Sequence, residues 1–460
     1  MMELKGKKVL VVGLGKSGLA AALFLRHKGA LVTVSDVRSA ESLAKEIPAL
    51  LEEGIMVEAG GHGLLTFRRQ DLIVVSPGVP LNTPELAQVR SFGLPVIGEL
   101  ELAARFLKGK IIAITGSNGK TTTTALVGEI LQAAGLHTLV AGNIGVPVIS
   151  RVEESNENSW SVLEVSSFQL ESTQDFHPAI SVILNITPDH LDRHGTFENY
   201  ALAKERIFAK QAAGDHVVLN ADNERAAESA IRSDAPVCWF STQHAVEQGA
   251  WVEHGFVVYR SAPEAAFERI MPVDKISLKG GHNVENVLAA VCASRLAGVA
   301  GDVIARAVEN FEAVEHRLEF VETINAVDYY NDSKATNVDA TEKAIAAFPG
   351  GIHLILGGKD KGSHYTVLAS LLRERVRAVY TIGSAATKIE SQLRGIVPVH
   401  SCQTLAGAVK SAAVAARPGE VVLLAPACSS FDQFENYEHR GHVFKQLVAE
   451  LRGWKSDQRN

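Results

Sequence analysis

The sequence predicts an α/β protein built from three domains. Strand patterns alternate with helix patterns along most of the 460 residues, which is typical of domains with a largely parallel sheet. This alternation restarts twice, near Gly98 and near residue 313. Because ordinary domains hold roughly 100 to 200 residues, we expect domains over residues 1–98, 99–312 and 313–460.

Composition excludes several classes of protein. A hydrophobic content of 46% and a charged content of 21% are typical of a globular protein with a large core, and no apolar run is long enough to span a membrane. The net charge of −7 argues against a general nucleic-acid binder. The four cysteines are scattered and the chain begins directly with a strand pattern, so we expect a cytoplasmic protein without membrane insertion.

The first domain carries a nucleotide-binding pattern. A strand over 8–12 leads into Gly-Leu-Gly-Lys-Ser-Gly at 13–18, then a helix, then a strand that ends at Asp36. This is the βαβ fingerprint of Rossmann-like domains, with an acid that could bind a ribose hydroxyl. Alone it indicates NAD or FAD, but the same turn serves other nucleotide diphosphates, and nothing downstream resembles hydride chemistry. A second loop, which contains Gly78, follows the strand over 71–75.

The second domain begins with a phosphate-binding pattern. An apolar strand over 111–114 runs into Thr-Gly-Ser-Asn-Gly-Lys-Thr-Thr-Thr and then a helix. Lys120 would reach the β- and γ-phosphates, and the Thr121 hydroxyl would ligate Mg²⁺. Ile114 stands where the full P-loop has glycine, so the loop is a shortened variant. A plain glycine-rich turn would explain the two glycines but not a lysine followed by three hydroxyls, so we predict a P-loop ATP-binding domain.

Further polar residues follow the neighbouring strands of this domain. Glu164 is a lone acid in an apolar strand, where a buried carboxylate needs a partner or a metal. His190 lies just past another predicted strand, and Lys204 lies on a helix able to face the same edge. A buried hydrogen-bond network for Glu164 and a surface position for His190 are the alternatives. From about 215 to 280 the short strands indicate a more antiparallel stretch. Asn283 and Asn286 then lie at the first turn of a helix, where they could contact a ligand, with helix capping as the alternative.

The third domain repeats the alternation of strands and helices. Polar loops over 331–337, 357–362 and 426–434 each follow an apolar strand. Because parallel α/β sheets bind ligands at the carboxyl ends of their strands, we expect these loops to gather there. They would supply Asp332, Lys334 and Lys361.

Three motifs together resemble one enzyme family. Thr-Gly-Ser-Asn-Gly-Lys-Thr-Thr at 115–122, Asn-Asp-Ser-Lys-Ala-Thr-Asn at 331–337 and Pro-Ala-Cys-Ser-Ser-Phe-Asp-Gln-Phe at 426–434 are similar, in this order, to the Mur ligases of peptidoglycan synthesis. The resemblance covers essentially the whole chain, whereas kinase and hydrolase motifs are absent. It implies a central ATP-binding domain flanked by two Rossmann-like domains.

Within the family, the motifs are most similar to those of the ligases that add D-glutamate. The resemblance therefore implies ATP-dependent joining of D-glutamate to the alanyl carboxylate of UDP-N-acetylmuramoyl-L-alanine through an acyl phosphate, with two Mg²⁺ ions. It places the reaction in cell wall biogenesis, and hence in cell shape and division. We expect a monomer that binds no nucleic acid.

The resemblance also assigns residues to each ligand. The UDP-sugar would be bound by Gly15, Lys16, Ser17, Asp36, Arg38, Gly78, Asn143 and His190. ATP would be bound by Gly116, Ser117, Asn118, Gly119, Lys120, Thr121, Thr122, Asn283, Asn286, Arg317 and Asp332. D-glutamate would be bound by Lys334, Thr336, Lys361, Ser430, Phe431 and Tyr437. The metal ligands would be Thr121, Glu164, His190 and Lys204 in carbamylated form, and the catalytic residues Lys120, Glu164, His190 and Lys204.

Four other functions stay open from the sequence. A folylpolyglutamate synthase-like ligase shares the phosphate loop, but the N-terminal nucleotide-binding domain argues against it. A Mur ligase that adds L-alanine or a diamino acid differs only in its C-terminal motifs. An NAD-dependent oxidoreductase is favoured by the glycine-rich turn and Asp36 alone. A non-catalytic nucleotide sensor would not need Lys120, Glu164 and His190 together.

Overall fold

The computed structural model describes residues 2–143, 145–278, 280–312 and 315–454. Residue 313, where the third predicted domain begins, lies outside these ranges. The described residues form three separate sheets, which confirms the predicted three-domain α/β fold. The chain divides into two compact units, Met1–Lys275 with Glu285–Glu309 and Ile276–Val284 with Asn310–Asn460, and the first unit contains two of the sheets.

The first sheet is parallel and has a Rossmann-like order. Its strands are β1 Lys8–Val12, β2 Leu31–Asp36, β3 Met56–Ala59, β4 Leu72–Val75 and β5 Val96–Gly98. The helices are α1 Lys16–His27, α2 Ile47–Glu52, α3 Leu64–Arg68, α4 Pro84–Ser91 and α5 Glu99–Ala104. The strands lie in the order β3-β2-β1-β4-β5, so the strand order reverses between β1 and β4. The loops that follow these two strands therefore meet at the edge where such sheets bind ligands.

The second sheet has nine strands. They are β6 Lys110–Thr115, β7 Thr138–Gly142, β8 Trp160–Glu164, β9 Ile180–Ile183, β10 His216–Asn220, β11 Val237–Ser241, β12 Gly249–Glu253, β13 Phe256–Arg260 and β14 Glu268–Pro272. The helices over this stretch are α6 Lys120–Ala133, α7 Ser167–Leu170, α8 Leu191–His194, α9 Phe197–Glu205, α10 Glu224–Glu228, α11 Gly281–Leu296 and α12 Gly301–Asn310. In the order β14-β13-β12-β11-β10-β9-β6-β8-β7, strand β6 lies between β8 and β9. The phosphate loop after β6 is therefore flanked by the ends of both.

The expected antiparallel stretch is shorter than the sequence suggested. Strands β10, β11 and β12 continue the parallel pairing from β9, and the antiparallel pairs in this sheet are β12 with β13 and β13 with β14. The crossover between β10 and β11 is only the five-residue helix α10 and a short 3-10 turn at Ser229–Arg232. Such a short helical connection gives little periodic signal in the sequence.

The third sheet belongs to the second unit. Its strands are β15 Glu319–Ile324, β16 Val327–Asn331, β17 Ile352–Gly357, β18 Val376–Ile382, β19 Val399–Gln403 and β20 Val421–Leu424, in the order β15-β16-β20-β17-β18-β19. Its helices are α13 Val338–Ala346, α14 Ala369–Arg375, α15 Ala386–Leu393, α16 Leu405–Ala415 and α17 Tyr437–Trp454. Only β15 pairs antiparallel. The central strands are buried on both faces, which explains their continuous apolar runs.

Among the described residues, no helix has both the length and the apolar character needed to cross a membrane.

Candidate active site

The phosphate loop is a tight turn between β6 and α6. Gly119 adopts a left-handed conformation (φ 87°), and a Cβ atom there would lie 2.2 Å from the side-chain oxygen of Asn286. Only glycine therefore fits this position. Lys120 lies back over the loop, and its Nζ donates hydrogen bonds to the carbonyl oxygens of Gly116 (2.9 Å) and Ser117 (3.0 Å). The ammonium and the first turn of α6 together form a cationic cradle suited to phosphate.

The loop is anchored to the segment after β9. The amide of Asn118 donates to the side-chain oxygen of Asn185 (2.9 Å), and the Asn185 amide group donates back to the Asn118 carbonyl (3.2 Å). Ser117 Oγ donates to the carbonyl of Thr187 (2.9 Å) and lies 3.1 Å from the hydroxyl of Tyr200. These bonds fix the loop before any ligand binds, so little ordering entropy remains to be lost on binding.

Glu164 lies at the end of β8 beside the loop. Its side chain is 1% exposed and accepts hydrogen bonds from the Thr121 hydroxyl (2.8 Å) and the Asn143 amide group (2.9 Å). The lone acid of the sequence pattern is thus joined to two other predicted site residues. Glu164 thus has the buried hydrogen-bond network that was the alternative to a metal site. Its donors are Thr121, a predicted metal ligand, and Asn143, a predicted UDP-sugar ligand.

Lys204 reaches the same loop from helix α9. Its Nζ donates to the carbonyl of Gly116 (2.8 Å) and lies 4.5 Å from the centre of the Tyr200 ring. Burial, with a smaller contribution from nearby Lys120, holds the pKa of Lys204 well below its usual range, although Asp189 and Glu164 oppose this shift. Lys204 is therefore a buried amine within the phosphate site.

His190 lies at the start of helix α8. Its backbone is left-handed (φ 51°), an uncommon conformation that is often found at functional sites. Its ring packs edge-on against Phe168, with ring centres 4.9 Å apart, and its Nε2 lies 3.6 Å from a carboxylate oxygen of Asp189. The imidazole is partly exposed, so it remains accessible to a ligand.

These side chains suit a magnesium ion. A hydroxyl and a carboxylate, from Thr121 and Glu164, are the hard oxygen ligands that Mg²⁺ prefers. They lie 2.8 Å apart at the first turn of α6, beside the phosphate loop. A plain ammonium at Lys204 would repel the ion, whereas a carbamate on the same nitrogen would offer it an anionic oxygen. The donor set therefore fits Mg²⁺, and it fits better with a modified Lys204.

The glycine-rich turn after β1 is held by Asp36. This carboxylate accepts hydrogen bonds from the Leu14 amide (2.6 Å) and from the Arg38 amide (2.8 Å) and guanidinium (3.0 and 3.1 Å). Burial alone would raise the pKa of Asp36, but these hydrogen bonds lower it below its ordinary value. Gly18 packs so closely that a Cβ atom there would lie 1.9 Å from the Gly13 carbonyl oxygen. Asp36 thus orders the turn itself, besides any contact with a nucleotide.

The loop after β4 packs on this turn. Ser76 Oγ donates to the Gly13 carbonyl (2.6 Å), and a Cβ atom on Gly13 would lie 2.6 Å from Val79. The carbonyls of Gly78 and Val79 accept hydrogen bonds from Arg193, on helix α8 of the second domain. The predicted UDP-sugar loops and His190 therefore lie in one compact unit.

The predicted ATP residues Asn283, Arg317 and Asp332 lie in the second unit, as do the residues predicted for D-glutamate. Burial raises the pKa of Asp332 to about 7, although nearby Arg317 and the Leu318 amide oppose this shift. Arg317 Nε is buried without a hydrogen-bond partner among the described residues. A buried guanidinium nitrogen in this condition is suited to an anionic ligand.

The predicted D-glutamate residues surround one edge of the third sheet. Lys334 Nζ lies 3.8 Å from the centre of the Tyr437 ring, which joins the loop after β16 to helix α17. Lys359 and Ser429 form a two-way backbone bridge that links the loops holding Lys361 and Ser430. Phe431 is exposed on the latter loop. Three loops distant in sequence thus meet as the sequence predicts.

Sequence reasoning missed several residues that build the site. Asn185 and Tyr200 anchor the phosphate loop, and buried Arg440 donates to the backbone and hydroxyl of Ser333 beside Asp332. Tyr200 could have been found, because it lies four residues before Lys204 and so on the same helix face. Arg440 lies 107 positions from Ser333, and no local pattern reports that contact.

Known protein families and individual proteins are similar to this chain along most of its length. Three family models match: the Mur ligase middle domain over residues 114–294, the MurD-like N-terminal domain of Mur ligases over 7–98, and the glutamate ligase domain of Mur ligases over 316–428. The chain is 68% identical to UDP-N-acetylmuramoylalanine--D-glutamate ligase of Acidobacterium capsulatum, over 98% of each chain. It is 60% identical to the protein of the same name in Koribacter versatilis, over 98% of this chain and 99% of that one.

Solved structures share the fold at low identity. A pseudomurein peptide ligase type C from Methanothermus fervidus superposes with a TM-score of 0.61 at 20% identity, over 97% of this chain and 100% of that one. UDP-N-acetylmuramate-alanine ligase from Thermotoga maritima also gives a TM-score of 0.61 at 20% identity, over 96% and 99% of the two chains.

Proposed function

The chain belongs to the Mur ligase family, and from this premise we infer that it joins D-glutamate to UDP-N-acetylmuramoyl-L-alanine in peptidoglycan synthesis, with ATP as co-substrate. The resemblance read from the three motifs is thereby confirmed. The observation that carries the choice of substrate is the identity of 68% to a ligase of that name over 98% of both chains. A ligase of this class does not transfer hydride, so in this proposal the glycine-rich turn after β1 binds a UDP-sugar and not NAD.

The reaction requires activation of a carboxylate. An oxygen of the alanyl carboxylate attacks the γ-phosphorus of ATP, the bond to the β,γ-bridging oxygen breaks, and ADP leaves. The amine of D-glutamate then attacks the acyl carbon, a proton leaves the nitrogen, and phosphate departs with the former carboxylate oxygen. Both steps place growing negative charge near the transferring phosphoryl group, where fixed positive charge stabilises the transition state.

The phosphate loop is suited to the first step. The Lys120 ammonium is already directed at the loop by two carbonyl groups, so it can bind the β- and γ-phosphates without large reorganisation. Asn185 accepts a hydrogen bond from the Asn118 amide, and the Tyr200 hydroxyl contacts Ser117 Oγ. Both contacts hold the loop in place. We propose that residues 116–122 and Asn286 bind ATP in the first unit, and that Asn283, Arg317 and Asp332 bind it in the second.

Two Mg²⁺ ions are part of the proposal. Thr121, Glu164, His190 and a carbamylated Lys204 would bind them, and the ions would draw negative charge from the phosphoryl group when bound. The support is the buried hydroxyl–carboxylate pair of Thr121 and Glu164, with the Lys204 amine nearby. Carbamylation itself consumes CO₂ and releases a proton from the lysine nitrogen.

The other substrates have their own residues. We propose that Gly15, Lys16, Ser17, Asp36, Arg38 and Gly78 bind the uridine diphosphate, and that Asn143 and His190 contact the muramoyl-alanine arm. For D-glutamate we propose Lys334, Thr336, Lys361, Ser430, Phe431 and Tyr437. The cations in that set match the two carboxylates of the amino acid.

A panel of amino acids tests the substrate directly. The purified protein is supplied with Mg-ATP and UDP-N-acetylmuramoyl-L-alanine, and phosphate release is followed with D-glutamate, L-glutamate, L-alanine and a diamino acid. We expect release with D-glutamate alone. A faster response to a diamino acid would assign the chain to another reaction of the family, and release without any sugar nucleotide would contradict the ligase assignment.

A further inference from the structure

Arg193 joins the predicted sugar-nucleotide loop to the reaction centre. We propose that it is a positioning residue, which fixes the loop at 76–80 of the first domain relative to His190 of the second, so that the alanyl carboxylate is aligned with the phosphate loop. The inference rests on the proposed function, and it concerns a residue that the motifs do not single out.

The guanidinium of Arg193 bridges the two domains. It donates to the carbonyls of Gly78 (3.3 Å) and Val79 (3.1 Å) on the first domain, and to the Glu171 carboxylate (3.0 Å) on the second. The side chain is 17% exposed, and its hydrogen bonds to Val79 and Glu171 are partly buried. A planar guanidinium can serve three acceptors at once, whereas an ammonium offers no matching fork.

The same side chain is coupled to His190 through Phe168. The guanidinium lies 5.1 Å from the centre of the Phe168 ring, and the centre of the His190 imidazole lies 4.9 Å from the same ring centre. His190 immediately precedes the four-residue helix α8, and the Arg193 amide within that helix donates to the His190 carbonyl (3.0 Å). A shift of the loop at 76–80 would therefore be transmitted to the imidazole.

Glu171 is itself held in place by other residues of the second domain. Its other oxygen lies 3.1 Å from Nδ1 of buried His194, and the second ring nitrogen of His194 lies 3.0 Å from Ser167 Oγ. The His194 ring also stacks on Phe168, with centres 5.5 Å apart. The anchor for Arg193 is thus a rigid cluster and not a flexible surface acid.

A second arginine between the same domains provides a matched control. Arg105, which directly follows α5, donates to Glu101 (2.9 Å) and Asp175 (3.1 Å) within the second predicted domain and to Met2 Sδ of the first (4.0 Å), and it is 27% exposed. It contacts neither the loop at 76–80 nor Phe168 in any described interaction. If Arg193 only held the domains together, the two arginines would be interchangeable in their effect on turnover.

The test compares Arg193→Lys with Arg105→Lys in the full chain. Turnover is measured by D-glutamate-dependent phosphate release at saturating substrates, UDP affinity by calorimetry, and unfolding by thermal melting. Because a misplacement of about 1 Å can cost about 100-fold in rate, we expect Arg193→Lys to lower kcat at least about 10-fold. UDP affinity should stay within about threefold, because the nucleotide turn is built by first-domain residues, and Arg105→Lys should stay within about twofold of wild type in kcat.

Three results would overturn the inference: unchanged kcat in Arg193→Lys, an equal loss in Arg105→Lys, or a loss of UDP affinity as large as the loss of kcat. The last would mean that Arg193 shapes the nucleotide site and does not align it. Absence of turnover in the wild-type protein would instead refute the proposed function, so the two failures are distinguishable.

Discussion

Among the proposed site residues, we expect Lys120 to matter most for the activation step. Its ammonium donates to two loop carbonyls at 2.9 and 3.0 Å and would be the principal cation at the γ-phosphate. We expect Lys120→Ala to lower kcat by about a thousandfold, the scale of losing one preorganised charge. Binding of UDP-N-acetylmuramoyl-L-alanine, measured by calorimetry, should change little, because the nucleotide loops belong to another domain. An equal loss of sugar-nucleotide binding and of turnover would contradict the assignment of the two ligands to different domains.

Lys204 should carry a carbamate. The nitrogen is buried near Glu164, where an ammonium opposes a metal ion and a carbamate assists it. With ¹³C-bicarbonate, we expect a carbamate carbon resonance in the wild-type protein that Lys204→Arg lacks. The surface variant Lys210→Arg serves as the control and should keep the signal. A spectrum without the resonance, in protein that turns over normally, would show that the lysine acts unmodified.

Glu99 should make stability depend on pH. One carboxylate oxygen accepts a hydrogen bond from the Ile149 amide (2.8 Å), the other is buried without a partner among the described residues, and burial raises the pKa to about 7. The folded state therefore holds the proton more tightly than the unfolded state. The stability that this proton provides is complete below the ordinary pKa of 4.5 and is lost as the pH rises through about 7.

The measurement is the free energy of unfolding from denaturant titrations at several pH values. Between about pH 5 and pH 7.5, wild-type stability should fall by up to about 3 kcal/mol more than that of Glu99→Gln, which cannot titrate. Glu157→Gln, at an exposed turn, should behave like wild type. A Glu99→Gln curve that is parallel to the wild-type curve would refute the assignment.

At the scale of elements, strand–loop–helix units were the most predictable part of the chain. The turns after β1 and β6 have fixed glycine spacings because a Cβ atom would clash there, at Gly18 with backbone and at Gly119 with the Asn286 side chain, and the structure has both turns as expected. The parallel pairing of β10, β11 and β12 was missed, because one crossover has only a five-residue helix and the other has no helix, so neither gives a periodic signal. Local patterns report local geometry, and pairing between strands depends on the whole sheet.

The turn after β1 gives a test with an internal control. A Cβ atom at Gly18 would lie 1.9 Å from the Gly13 carbonyl oxygen, whereas at Gly15 it would meet nothing within 4 Å. We expect Gly18→Ala to destabilise the protein by about 1 to 3 kcal/mol, the usual cost of overpacking, and Gly15→Ala to have a much smaller effect. Denaturant unfolding compares the two. Equal destabilisation would show that the close approach is not what requires glycine.

For the whole molecule, the sequence was sufficient to predict three α/β domains and the groups that gather at strand ends. It could not predict the side-chain contacts between segments that are far apart in the chain. Glu101, for example, accepts hydrogen bonds from the amides of Gln174, Asp175 and Phe176, more than 70 positions away. Arg193 reaches Gly78 over 115 positions. Such contacts follow from tertiary packing, and no residue pattern near either partner signals them.

The central claim is that the alanyl carboxylate is activated by phosphorylation at the loop after β6. It is tested by supplying UDP-N-acetylmuramoyl-L-alanine with ¹⁸O in the alanyl carboxylate, together with Mg-ATP and D-glutamate. The attacking oxygen becomes part of the acyl phosphate and leaves in the phosphate ion. We therefore expect one ¹⁸O atom in each released phosphate and the other in the new amide. Phosphate without label would contradict it.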